Sequence, residues 1–415
     1  MGTRRTALRP VTAALAVATL LGVTACGSSG GAAGGGSNVN IGLLEPLSGP
    51  FADNGTQAKL GSELCAQQIN DAGGIKSLGG AKIKLIEKDT GAAAPAQVAN
   101  QLQSMIQQNN LSAVIGAWAS SYSLAASTVA EQSKVPMVTE SFADDLVSRN
   151  YKYLFKLPAQ AKAMGAQPVD SVVALAKTAG LKLATAAVVA DNTSAASVSA
   201  KAAAAQFESD GIKVPVQEIF PPGLTDATSL ALKVLASKPD IIFLQGALSD
   251  MALLQNAFQK QGYSGPLVGA GSGFVATNYA DTVGAAANGA FSGAGWNWDR
   301  PGDAAKTFAA EFTKANPKYP FPGQEAGEDC SAVYIIAAAL EKAGSTDPQK
   351  VRDAIAGINI TSGPATMLAP GKVSFEANGL LKGAVPMIVQ WQNGKPYTVA
   401  PNDLATKKPI ALNGG

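Results

Sequence analysis

From residue 39 onward, short runs of aliphatic and β-branched residues alternate with longer stretches whose apolar side chains recur every three or four positions. The short runs predict strands at 39–44, 82–87, 112–116 and 136–139, and the longer ones predict helices at 57–71, 96–108 and 124–132. Leu60, Leu64 and Ile69 share one side of the first helix, and Val98, Leu102, Met105 and Ile106 point inward from the second. This recurrence argues for parallel βαβ units with both sheet faces covered. The pattern then restarts. Helices at 164–180, 195–210, 228–237 and 251–262 alternate with strands at 183–190, 214–220, 240–244 and 266–269, and Gly211 closes the second of these helices. Two such sets predict two similar α/β lobes in place of one long sheet. Ligand-facing loops then lie at the carboxyl ends of the strands, and two such edges facing each other make a cleft. A third section carries helices at 307–314, 329–344 and 351–356, then strands at 372–375, 386–391 and 396–400. Asn378-Gly379 and Asn393-Gly394 mark hairpin turns.

Ahead of this body, Arg4, Arg5 and Arg9 precede thirteen uncharged residues, 11–23. They form the basic and apolar regions of a secretory signal. As a helix the apolar run spans about 20 Å, short of the roughly 30 Å hydrocarbon core. Val23-Thr24-Ala25-Cys26 resembles the bacterial lipobox, which implies cleavage before Cys26 and diacylation of that residue. An ordinary signal peptide with a chance cysteine is the other reading. The arginine pair leaves twin-arginine and general export both open. Residues 1–25 are thus expected as a signal peptide, and 26–37 as a lipidated cysteine on a Gly/Ser tether reaching about 18 Å. No later stretch approaches the roughly eighteen uncharged apolar residues of a membrane span.

Composition narrows the function. About 378 residues follow the tether, too many for one compact core and suited to two lobes. Residues 1–25 hold three basic groups and no acid, so 29 basic stand against 30 acidic groups beyond them, a net charge of −1. No basic stripe invites nucleic acid. The absence of histidine removes Ser-His triads, His-ligated zinc and imidazole proton shuttles. Cys65 and Cys330 read either as a disulfide of an exported chain or as two buried thiols. Glu325, Glu328 and Asp329 read as the acidic start of the helix holding Cys330, with a metal or acid pair as the lesser alternative.

Residues 41–51, Ile41-Gly42-Leu43-Leu44-Glu45-Pro46-Leu47-Ser48-Gly49-Pro50-Phe51, resemble the first strand and loop of type I periplasmic binding proteins of the leucine/isoleucine/valine-binding branch. Six further segments match in order: 69–75, 113–116, 135–139, 220–226, 239–243 and Gly262-Tyr263. The resemblance covers residues 39–400. It implies an α/β fold of two doubly wound parallel-sheet lobes joined by three crossovers, with a ligand cleft between them. Carried onto this chain, the first lobe comprises 38–157 plus 296–365 and the second 158–295 plus 366–405, with a tail at 406–415 and crossovers near 156–158, 291–296 and 363–371.

Trp118-Ala119-Ser120-Ser121 follows a strand and opens a helix, where free N–H groups suit a carboxylate. The family grips its ligand's carboxylate with a serine at the position of Ser120; the alternative is that Ser120 and Ser121 are helix caps only. Ser141 and Phe142 match a second anchoring loop. Asp191, Asn192, Gln245 and Asp250 follow second-lobe strands as candidate polar contacts, and Ser272 lies in a glycine-rich turn, 269–273. Trp118, Trp296 and Trp298 are candidate stacking walls; hinge packing is the alternative for the last two. Several family features are absent. The position of the acid that pairs with an amino-acid ammonium falls near Gly271, within 270–273, where there is no acid; the second-lobe aromatic positions fall near 194–195 and Ala247, where there is no ring; and the first-loop aromatic is replaced near Asn54. An ammonium buried without its acid costs on the order of several kcal/mol, which counts against an ordinary aliphatic amino acid.

The resemblance therefore implies a monomeric, lipid-anchored receptor at the outer face of a bacterial cytoplasmic membrane. It takes an amino acid or a related carboxylate or amide and hands it to an ABC permease with its ATPase subunits. No catalysis, cofactor or metal is expected. A sensor reporting to a membrane partner is the second class, and a glycosidase with paired carboxylates a remote third.

Overall fold

The computed structural model describes Gly2 and residues 38–412, so the rest of the signal segment, Cys26 and the tether lie outside the described residues. The body begins β1 (Val39–Glu45), α1 (Ala52–Asp71), β2 (Ile83–Asp89), α2 (Pro95–Asn109), β3 (Ala113–Gly116), α3 (Ser120–Ser133), β4 (Met137–Thr139), α4 (Asp145–Ser148) and β5 (Leu154–Lys156). It continues with α5 (Ala161–Thr178), β6 (Thr185–Asp191), α6 (Ser194–Ser209), β7 (Lys213–Phe220), α7 (Thr228–Leu235), β8 (Ile241–Gln245), α8 (Leu248–Lys260), β9 (Leu267–Ala270), α9 (Tyr279–Val283) and β10 (Phe291–Ala294). Last come α10 (Asp303–Ala315), α11 (Gln324–Ala343), α12 (Pro348–Ala356), β11 (Met387–Gln392) and β12 (Lys395–Ala400).

These strands form two sheets. The first is parallel throughout in the order β2-β1-β3-β4-β5, with Leu43 beside Glu87 and Leu44 beside Gly116. In the second, β7-β6-β8-β9-β10 repeats that order in parallel, and β11 and β12 extend it antiparallel. Both have the doubly wound 2-1-3-4-5 arrangement, whose strand order reverses between the first and third strands.

The central strands of each sheet are buried on both faces, as continuous apolar strands require, while the edge strands β2 and β7 carry exposed residues. On β1, Val39, Ile41 and Leu43 join the core shared with α10, α11 and α12, while Leu44 joins the opposite core under α2 and α3. On β8, Ile241 and Phe243 face one side and Ile242 and Leu244 the other. The chain crosses between the lobes after β5, after β10 and between α12 and β11.

Two expectations need correction. Residues 372–375 form no ladder: only isolated bridges join Ile360 to Val373 and Phe375 to Leu381. The run is too short to do more before the Asn378-Gly379 turn. Helix α11 starts at Gln324, not at 329, and its acidic first turns are buried. Those turns run beneath β3 and β4 and along α1. Glycine allows the approach, since a Cβ on Gly61 of α1 would stand 2.1 Å from the Ala326 carbonyl oxygen. A disulfide between Cys65 and Cys330 ties the same two helices, with Cα atoms 5.4 Å apart.

Candidate functional site

The carboxyl ends of both sheets meet across one pocket. The first lobe supplies Phe51, Trp118, Ala119, Ser120, Glu140 and Phe142, and the second Asp191, Thr193, Ala195, Gln245 and Ser272. Trp118 and Ser120 follow β3 at the first lobe's switch point, while Asp191 and Gln245 end β6 and β8 at the second's. The space between these walls is about 50 Å3. The lobes already touch: a Cβ on Gly271 would come within 3.0 Å of the Phe142 ring. A larger depression of about 460 Å3 sits at the amino end of β9, the opposite edge of the second sheet, and has no charged residue in its lining.

Helix α3 has no side-chain cap, so its first N–H groups and the positive end of its dipole face the pocket beside Ser120. Across from it, Asp191 accepts bonds on one oxygen only, from the Thr193 N–H at 3.0 Å and hydroxyl at 2.5 Å. Gln245 presents a buried Oε1 with no hydrogen-bond partner. Trp118 tilts against Phe51 with ring centroids 4.9 Å apart, and its indole N–H donates to Glu325 at 3.1 Å. Trp118 and Ser272 hold left-handed backbone conformations, φ 47° and 53°. Non-glycine residues rarely adopt these, and they concentrate at functional sites.

Of the predicted contacts, Trp118, Ser120, Phe142, Asp191, Gln245 and Ser272 line this pocket, and Ser121, Ser141, Asn54, Asn192, Asp250, Trp296 and Trp298 do not. Ser121 is half-buried on the first turn of α3. Ser141 turns away, hydrogen-bonding the Trp118 carbonyl and the Ser123 hydroxyl. Asn54 lies behind the wall, where its amide donates to Glu325 at 2.8 Å. Asp250 is buried and holds the loop after β7 through the N–H groups of Gly223 and Leu224, and Asn192 is exposed outside the lining. Trp296 is core, its indole bonded to the Met367 carbonyl at 3.0 Å; Trp298 packs on Phe321 and Tyr397.

Residues 38–395 match the family model described as periplasmic binding protein. The chain belongs to that family. Leu/Ile/Val-binding protein homolog 7 of Brucella abortus (strain 2308) is 26% identical over 400 residues, 93% of this chain and 97% of the relative. The branched-chain amino acid transporter substrate-binding protein LivJ of Streptococcus pneumoniae, solved with isoleucine, aligns with TM-score 0.73 at 24% identity, covering 87% of this chain and 98% of that one. A solute-binding protein of an ABC transporter from R. palustris, solved with benzoate, aligns with TM-score 0.74 at 20% identity, covering 90% and 99%. The family and fold are those of solute-binding proteins, not enzymes.

In this periplasmic binding protein, Phe51, Glu140 and Thr193 line the pocket although sequence reasoning passed them over. Glu140 had a signal: an acid directly after a strand, as Asp191 ends β6. Burial pushes Glu140 and Glu325 up to about 7 and also raises Asp191. The backbone N–H groups of Trp118 and Glu140 oppose that rise for Glu140.

Proposed function

We propose that this protein captures an amino acid or a related carboxylate or amide by closing its lobes, and delivers it to an ABC importer. In this reading residues 38–157 plus 296–381 form one jaw and 158–295 plus 387–405 the other; the return expected at 366 comes later, because Met367, Val373, Phe375 and Leu381 pack in the first lobe's core and Leu380 bridges to Lys156 of β5. The supporting observation is one pocket built from the switch points of both sheets. A ligand carboxylate meets the α3 N-terminus and Ser120 in the first lobe. Its amine or amide N–H groups meet the free oxygen of Asp191 and Gln245 Oε1 in the second. The acid expected near Gly271 and absent there is thereby replaced from another strand. Phe51, Trp118 and Phe142 take the apolar part. Because each end of the ligand belongs to a different lobe, its contacts are complete only in the closed form, which is what biases a two-state protein toward closure.

Calorimetry of the purified protein against branched-chain and other amino acids, their amides and benzoate tests this. Asp191→Asn is expected to weaken ligands carrying an amine far more than benzoate. Equal loss for both, or no binding to any of these classes, would sink the assignment. The lipid anchor is tested separately: Cys26→Ser should release the protein into the medium, and membrane retention of that variant would refute it.

A further inference from the structure

Directly behind the pocket wall, Glu45 at the end of β1, Glu140 just after β4 and Asp329 in the second turn of α11 converge. One carboxylate oxygen from each lies within 4.8 Å of the others. All three residues are at most 3% exposed, and none of their six carboxylate oxygens has a hydrogen-bond partner. Glu328, equally buried and unpartnered, adds a fourth acid to this region. Among the described residues no lysine or arginine forms an ion pair with any of them. Lys156, the buried cation that acts on Glu328, spends its amine on the carbonyls of Pro158 and Ala159 at 2.7 and 2.8 Å.

The surrounding chain makes room for these groups. Gly116, between Glu45 and Glu140 in strand order, has φ 125°, and a Cβ there would lie 2.7 Å from Glu45 Oε1. Gly295 clears Glu328 in the same way, at 2.1 Å. Unpaired carboxylates in a water-excluded site repel one another and lose their hydration, so something positive has to compensate them. Oxygens no more than 4.8 Å apart fit around one centre, because hard cations hold their oxygen ligands at about 2.4 Å. An all-carboxylate set without sulfur or imidazole selects such a cation over zinc or copper.

We propose that Glu45, Glu140 and Asp329 bind one divalent hard cation of the calcium class beneath the solute cleft. Glu140 also lines the pocket, which gives the ion an entry route and sets it against the solute's floor. The rival occupant is protons, since Glu45 and Glu140 stand close enough to share one.

The test needs no solute, so its outcome is independent of the transport reading. Chelator-treated protein is melted in about 5 mM CaCl2 and in NaCl of equal ionic strength, since extracellular calcium modules work in the millimolar range. The midpoint is expected to rise by at least about 3 °C with calcium, and calorimetry to give one site per chain. Glu45→Gln with Asp329→Asn keeps the shapes and removes two charges. It should melt higher than wild type in chelator and lose the calcium response. Terbium luminescence from the wild type, displaced by calcium, gives a second readout if that variant does not fold. A wild type indifferent to both calcium and terbium means protons occupy the cluster, and the proposal fails. A double variant that keeps the full calcium shift also overturns it.

Discussion

At the scale of single residues, the pocket separates groups that meet solvent space from groups that only hold others in place. The Ser120 hydroxyl and the α3 N–H groups present donors, so Ser120→Ala should weaken ligand binding by about fivefold, the worth of one net hydrogen bond. Trp118 contributes a ring and an N–H to different partners, the ring beside Phe51 and the N–H on Glu325. Trp118→Ala is therefore expected to cost about tenfold or more in affinity, and Trp118→Phe much less. Calorimetry with an unchanged far-ultraviolet circular dichroism spectrum reads both, and undiminished affinity in Ser120→Ala and Trp118→Ala together would misplace the site. Lys156 is informative in another way. Burial lowers its pKa to about 7, against the opposing pull of Asp144 and Glu328. Between that value and the ordinary 10.5 the unfolded chain binds the extra proton, so stability rises with pH across this window. The cost of charging the buried amine is full below about 7. Urea unfolding of wild type minus Lys156→Met should thus climb from pH 7 to pH 10 by on the order of 1 kcal/mol per unit at most. A flat difference would show that the amine stays charged at no cost.

At the scale of elements, periodicity made the βαβ recurrence legible because each strand and helix has an apolar face of its own. The hairpin of β11 and β12 was equally legible: Asn393 and Gly394 both take positive φ, 52° and 80°, as a two-residue turn of this twist needs. What periodicity cannot show is burial of a polar face. The start of α11 carries Gln324, Glu325, Glu328 and Asp329, a pattern that reads as solvated and is buried only because β3, β4 and α1 close over it. The same blindness hid Glu140, whose role depends on a neighbouring lobe. Likewise Ser141 and Asn54 sit one layer behind the pocket, a distinction of side-chain direction that spacing does not encode. The tie between α1 and α11 carries its own prediction. Cys65 and Cys330 are 265 residues apart, so breaking their bond frees a long loop in the unfolded chain. Replacing both by serine should lower unfolding stability by about 2–5 kcal/mol, read by urea titration, and a loss under half that range would mean the packing of α1 on α11 suffices alone.

For the molecule as a whole, the decisive quantity is how much more tightly the closed form holds its solute than the open one. The pocket's donors and acceptors are divided between lobes: Ser120 belongs to one sheet, and Asp191 and Gln245 to the other. A solute engaging one lobe alone gains only part of its contacts, so its binding energy is differential by construction, and only differential affinity shifts a conformational equilibrium. Small-angle scattering should accordingly show the radius of gyration fall when a solute binds, or stay unchanged if the free chain is already closed. These two cases separate with Asp191→Asn. If the solute drives closure, the variant in saturating solute should remain more extended than wild type. If the free chain is already shut, wild type and variant should scatter alike with and without solute, while affinity still differs. Solute at one hundred times its dissociation constant should add about 2.7 kcal/mol of unfolding stability in either case. Stabilisation of that size therefore marks binding and contraction marks closure, and a variant that binds weakly yet contracts fully would show that the second lobe's acid plays no part in pulling the jaws together.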